Sequence, residues 1–290
     1  RMKKALALVL VILVISCKKE KSEIATLTTN EDLHTELYGN WVGDFVAKVY
    51  DTTSNFVYVN KINIVIKKIE GNKVFGQSIV AGNSRPITGE FRQVADSLIF
   101  TMKEPGDKKD DGKFEFSIKN NVLNGTWFAN NKKQAVTQRT FKLKKQSFEY
   151  NPNLMLPEDE AYIDYYSEKI DTIVETQTDS TSVPETYYQE TYRSAGDVIT
   201  KINSSTKKLT ENDLKNLKKL ELEILRNTIY ARHGYTFKKK SYRQFFDSVE
   251  WYIPVSENVD AKLTALEKAN IKLLERFEQY AEDNYDSFGR

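Results

Sequence analysis

Cysteine is nearly missing: Cys17 is the single one in 290 residues. One thiol closes no internal disulfide and cannot assemble a thiolate zinc site. Histidine is almost as scarce, with only His34 and His233, too far apart in sequence to suggest a histidine-rich metal centre. Neither sign of charge dominates. The formal net charge is +2, and lysines interleave with acids as on a solvated face, where a nucleic-acid binder would gather its basic residues. A membrane-length apolar run is lacking too. The conspicuous one, Ala5 to Ile15, has about 11 residues, too few to cross a bilayer core of roughly 30 Å at 1.5 Å per helical residue. There is no glycine-rich phosphate loop and no nucleophile in a recognisable context. No catalytic residue, cofactor or metal is therefore expected, and nucleic acid is not an expected partner.

What is present begins with an address. Arg1, Lys3 and Lys4 precede the apolar run, the layout of a secretory signal that takes no part in the fold. The run ends in Val14-Ile15-Ser16-Cys17, which resembles a bacterial lipobox. The resemblance implies a signal peptide over 1–16, acyl (palmitate-type) modification of Cys17 and attachment to the outer membrane on its periplasmic or cell-surface side. Several acyl chains on one residue anchor stably, since each buried methylene contributes about 0.8 kcal/mol. Residues 17–36 are polar and read as a tether. The lysine and acid just past the cysteine loosely resemble export tags of Bacteroidetes surface lipoproteins.

Over 37–148 the hydrophobic period is two. Ile62, Ile64 and Ile66 alternate along one segment, Phe114, Phe116 and Ile118 along another, and turn residues such as Gly71-Asn72, Gly82-Asn83 and Asn120-Asn121 separate about eight short strands. This favours an antiparallel meander closing into a barrel or a strongly curved sheet. Gly39-Asn40-Trp41 at its start resembles lipocalin-like barrels, in which the tryptophan plugs the closed end. Phe45, Phe75, Phe91, Phe100, Phe114, Phe116 and Trp127 are bulky enough to predict a mostly filled interior. Asp107–Gly112 has acids, but the third and twelfth positions counted from Asp107 are Lys109 and Ile118, which fail a calcium loop; a polar hairpin loop is expected.

Residues 149–201 break that pattern and read as a connector, with an exposed loop or linker over Glu175–Glu185. Tyr162, Tyr165, Tyr166, Tyr187, Tyr188 and Tyr192 flank this loop, and such a density implies packing on a domain or a tyrosine-lined glycan surface.

Residues 202–290 are helical. Thr210-x-x-Asp213, Ser241-x-x-Gln244 and Thr264-x-x-Glu267 read as capping boxes. The helix around Leu220–Arg232 carries Leu222, Leu225, Ile229 and Tyr230 on one stripe and stops at Gly234. Within it, Tyr230-Ala231-Arg232-His233-Gly234, followed by Phe245-Phe246 and Trp251-Tyr252-x-Pro254, resembles the YARHG domain, as found at the C-terminus of flavobacterial lipoproteins. The resemblance implies a small extracytoplasmic helical module and no particular reaction. Taken singly, Arg226 and Asn227 suggest a buried polar anchor, and Arg232 lies on another face from Arg226. His233 suits a helix C-terminus near the surface, with Glu250 or Asp247 as acid–base partners in principle. Trp251, Tyr252 and Pro254 are expected to cover the open end of the helical core.

The expected fold is thus α+β: a lipocalin-like or curved antiparallel β domain, then a small helical YARHG domain. The expected function is a non-catalytic cell-envelope lipoprotein that binds a cell-wall, glycan or protein partner. A barrel carrying a small apolar ligand and, behind it, an envelope hydrolase are the alternatives.

Overall fold

The computed structural model describes residues 34–175 and 185–283. The signal-like run, Cys17, the tether up to residue 33 and the loop over 176–184 lie outside the described residues.

Eight antiparallel strands form a closed barrel in simple up-and-down order: β1 (Gly39–Tyr50), β2 (Val59–Glu70), β3 (Lys73–Val80), β4 (Asn83–Val94), β5 (Ser97–Lys103), β6 (Gly112–Lys119), β7 (Val122–Ala129) and β8 (Val136–Gln146). β8 returns to pair with β1, from Asn40↔Gln146 to Tyr50↔Val136. Strand alternation sorts the side chains. Along β6, Phe114, Phe116 and Ile118 are buried while Glu115 is exposed. Inside, Phe100 stacks on Phe116 at 4.8 Å, and Phe45, Phe114 and Phe141 meet within 6.0–6.4 Å. The interior is packed with aromatic rings, but Phe75 is not among them: it is 36% exposed, because Val74 takes the inward position of β3. Phe91 is half-buried against the core. Trp41 is fully buried, and its indole Nε1 donates to the Leu37 carbonyl at 2.9 Å, tying a short 3₁₀ turn (Thr35–Leu37) to the barrel. In the β5–β6 loop the buried Asp111 carboxylate accepts from Arg85 and from the Gly106 and Lys108 N–H groups, so the loop is organised by an ion pair.

The stretch read as a polar connector contains a long hairpin, β9 (Tyr162–Glu175) paired with β10 (Glu185–Ala195). Its sequence hides this because both faces of the outer part are solvated, so no apolar–polar alternation marks it. Tyr165, Tyr166, Ile170, Tyr187 and Tyr188 are exposed along it. Its base is fixed by Asp164, which accepts from Arg193 at 2.7 Å and from Gln244 at 2.6 Å.

Five α-helices follow among the described residues: α1 (Val198–Lys201), α2 (Glu211–Leu214), α3 (Lys219–Arg232), α4 (Lys240–Phe246) and α5 (Ala265–Glu278). They enclose a second core built on Leu220, Leu222, Ile224, Leu225, Ile229, Phe246, Tyr252 and Leu274. Acids at Asp213 and Glu267 bond back to the N–H groups of Thr210 and Thr264, the capping boxes expected there. Ser241 is no cap. It lies inside α4, whose preceding residue is Lys239, and Gln244 is turned instead to Asp164. Gly234 ends α3 at φ +73°, and a Cβ there would come within 2.4 Å of Val255 and 2.8 Å of Phe148, so both conformation and space require glycine.

The helical region is riveted to the flank of the barrel. Lys61 of β2 donates to the Val249 and Tyr252 carbonyls, and Asn63 donates to Asn40 and, at 2.9 Å, to the Pro254 carbonyl. Tyr252 thus packs its ring in the helical core while its carbonyl, like that of Pro254, faces this joint. Among the described residues no helix is long and apolar enough to cross a membrane, and no cluster of three or more His, Cys, Asp or Glu is placed to hold a metal ion.

Candidate functional site

The last two turns of α3 face two ways. Arg226, on the outer side, forms a fork–fork pair with Glu278 of α5, at 2.6 and 2.9 Å. Burial alone would lower the guanidinium pKa, but the Glu278 carboxylate outweighs it and raises it. Asn227 is buried and donates to the Glu223 carbonyl one turn back at 2.8 Å. Tyr230 is half-buried, its ring 5.9 Å from that of Tyr235.

Arg232, His233 and Gly234 act together on one target, the segment over 148–155 that leaves the barrel after β8. Arg232 is 2% exposed. Its Nε donates to the Leu154 carbonyl at 2.7 Å and one terminal nitrogen donates to Ser205 Oγ at 3.0 Å, while the other lies 3.6 Å from the Met155 sulfur. Desolvation pulls its pKa down to about 10, because no carboxylate bonds to it directly. His233 lies flat under Tyr150, ring centroids 4.2 Å apart and planes inclined by 11°. Phe148 packs on Gly234. Trp251 holds the same segment as well, donating from its indole nitrogen to the Met155 carbonyl at 2.7 Å.

Behind this clamp sits a buried acid. His233 Nε2 is 2.8 Å from Glu267 Oε2, and since a carboxylate only accepts, Nε2 carries the proton. The Tyr150 hydroxyl donates to Glu267 Oε1 at 3.0 Å, and the Thr264 N–H donates to Oε2 at 2.9 Å. Burial would raise the Glu267 carboxyl, but the bonds from His233 and Thr264 prevail and hold it at about 2. His233 is 3% exposed and Glu267 is fully buried. The histidine is thus not a surface cap, and its acidic partner is neither Glu250 nor Asp247. Glu267 was legible as a capping residue. Nothing in its spacing pointed to His233, 34 positions away.

The clamped segment forms one wall of an open cleft of about 740 Å³. Lys144, Lys145 and Gln146 at the end of β8 stand beside Phe148, Glu149, Tyr150 and Asn151, and Glu250 and Trp251 complete it. A volume of this order, with aromatic surface and a few polar groups, lies in the range of ligand sites, about 300–1,000 Å³. Of the motif residues, only Trp251 lines the cleft itself. Arg232, His233 and Gly234 build it from beneath, and Arg226, Asn227 and Tyr230 take no part in it.

The molecule is therefore an eight-stranded antiparallel barrel followed by a small helical module whose signature residues grip the chain between them. That module is a YARHG domain: the family's model matches residues 197–279, beginning just ahead of α1. No curated protein and no solved structure matches the chain.

Proposed function

We propose that this chain is a non-catalytic cell-envelope lipoprotein, held to the outer membrane by lipid on Cys17, that binds its partner in the cleft beside the YARHG motif. One observation carries the reading. The motif spends its hydrogen-bonding groups on the protein itself, and what this construction presents outward is an aromatic-walled cleft. A hydrolase would need its histidine and acid within reach of a substrate. Here both are buried and committed to each other, to Tyr150 and to the start of α5. The packed rings inside the barrel speak against an apolar-ligand carrier, whose interior would be hollow.

The experiment is site-specific photocross-linking in cells that make the protein. A benzophenone side chain at Glu149 or Glu250 is expected to trap an envelope component, and the same group at Lys132, exposed in the β7–β8 turn at the other end of the barrel, is expected to trap none. Equal yields at all three positions would remove the cleft from consideration. Cys17→Ser tests the anchor separately: it is expected to release the protein from membranes or leave it as an unprocessed precursor.

A further inference from the structure

Resting on that reading, we infer that the cleft is a saccharide site, with Tyr150 and Trp251 as its stacking platforms and the buried His233–Glu267 pair as the device that positions Tyr150. The lining narrows the ligand class. Three aromatic side chains (Phe148, Tyr150 and Trp251) offer apolar faces, while Gln146, Glu149, Asn151 and Glu250 add planar acceptors and amide donors and Lys144 and Lys145 add ammonium donors. A wholly apolar ligand would strand those polar groups. A peptide that binds by strand addition needs a free sheet edge, and the strand that borders the cleft offers little of one: β8 is paired with β1 on one side and, as far as Lys144, with β7 on the other. A sugar ring answers both requirements, since its C–H faces lie against aromatic rings and its rim of hydroxyls meets carboxylates and amides.

The positioning role follows from the way Tyr150 is held. A half-exposed tyrosine ordinarily rotates among its rotamers. Here one ring face is covered by His233 at 4.2 Å, and the hydroxyl is committed as a donor to Glu267 at 3.0 Å. Glu267 is itself fixed by His233 and by the start of α5. The ring is thereby fixed in place, with only its remaining surface available to the cleft, which lowers the ordering cost of a bound ring.

The test uses the purified full chain in detergent, with soluble tetrasaccharides of N-acetylglucosamine, glucose (β-linked) and maltose type as probes in calorimetric titrations. At least one is expected to bind. Trp251→Phe, which keeps a ring but loses the indole, is expected to weaken binding by about threefold, and Tyr150→Ala by about tenfold. Glu267→Gln is expected to weaken it by about fivefold in the native background and to have no further effect when Tyr150 is already alanine. Amide exchange over 146–155 is expected to quicken in Glu267→Gln whether or not sugar is present. Equal losses from Glu267→Gln in both backgrounds would mean that the pair only stabilises the fold, and the positioning role would fall while the saccharide site stood. Failure of every tetrasaccharide to bind, alongside a cleft-specific cross-link to a protein, would overturn the saccharide class and leave the binding reading intact.

Discussion

Arg232 offers the sharpest test of the clamp, because two opposing terms meet on one side chain. Replacing it with methionine keeps much of the length and removes the charge. The loss is the pair of charge-assisted bonds to Leu154 and Ser205, leaving a buried carbonyl unpaired at a cost of about 1–3 kcal/mol. The gain is relief from burying a cation: a guanidinium held at about 10 instead of 12.5 carries an unfavourable term on the order of 3 kcal/mol, at about 1.4 kcal/mol per pKa unit. The two nearly cancel, so Arg232→Met is expected to lie within about 1 kcal/mol of the native protein. Arg232→Ala removes the same bonds and also opens a cavity, worth a further ~2–4 kcal/mol. Urea denaturation followed by far-UV circular dichroism reads both. Both variants are also expected to speed amide exchange at Leu154 and Met155, whose segment has lost its grip. Two results would refute the reasoning: methionine as damaging as alanine, or unchanged exchange over 148–155 in either variant.

Three further expectations concern other charges. In a double-mutant cycle on unfolding free energy, Arg226→Ala and Glu278→Ala are expected to couple by about 1–3 kcal/mol, since the pair is bidentate and largely shielded; coupling near zero would assign it to the surface. The Glu267 carboxyl is held at about 2 in the fold against its ordinary 4.5, so the unfolded chain binds the extra proton first; stability is full above about pH 4.5 and is expected to drop as pH falls towards 2, with Glu267→Gln flattening that limb. Lys61 is depressed by burial to about 8 from 10.5, with Asp247, Asp44 and Glu250 only partly offsetting the cost. Between those values the unfolded chain holds more protons, so its contribution to stability is expected to rise from pH 8 to pH 10.5, a limb that a denaturation series on Lys61→Met would lack.

Much of the architecture could be read from residue order alone. Alternating apolar positions and two-residue turns mark the barrel strands, since a half-buried strand must repeat every two residues. The YARHG stretch was legible because a helix stripe, a glycine stop and capping acids are local signals. The hairpin β9–β10 was not, because a ribbon solvated on both faces leaves no periodicity. Nor did sequence reveal what the signature residues do. His233 meets Glu267, and Arg232 meets Leu154, only because folding brings α3, α5 and the segment after β8 together. Arg226 was expected to be a buried polar anchor and is one, paired with the Glu278 carboxylate in a largely shielded bridge, while Arg232, expected only to lie on another helix face, is the more enclosed of the two. Ser241-x-x-Gln244 has the letters of a capping box. Lacking an unfilled helix start to serve, its glutamine was captured by Asp164.

The closure of the barrel has a mechanical side. The chain comes into β1 at Gly39 and leaves β8 at Gln146, and Asn40 and Gln146 are register partners, so both ends sit at one corner of the seam. A pull that separated those two ends would peel β1 from β8 one hydrogen-bonded pair after another, the geometry in which a sheet resists least. A partner tugging at the cleft, against an anchor ahead of Gly39, would load that corner. The rivets on β2 change the route of the force. Because Lys61 and Asn63 grip Val249, Tyr252 and Pro254, tension on the helical region passes directly into β2, and Asn63 hands it on to Asn40 in β1. Were the chain held ahead of Gly39, the load would reach β1 without first running through the seam, and the barrel would work as a fixed post under a strained attachment.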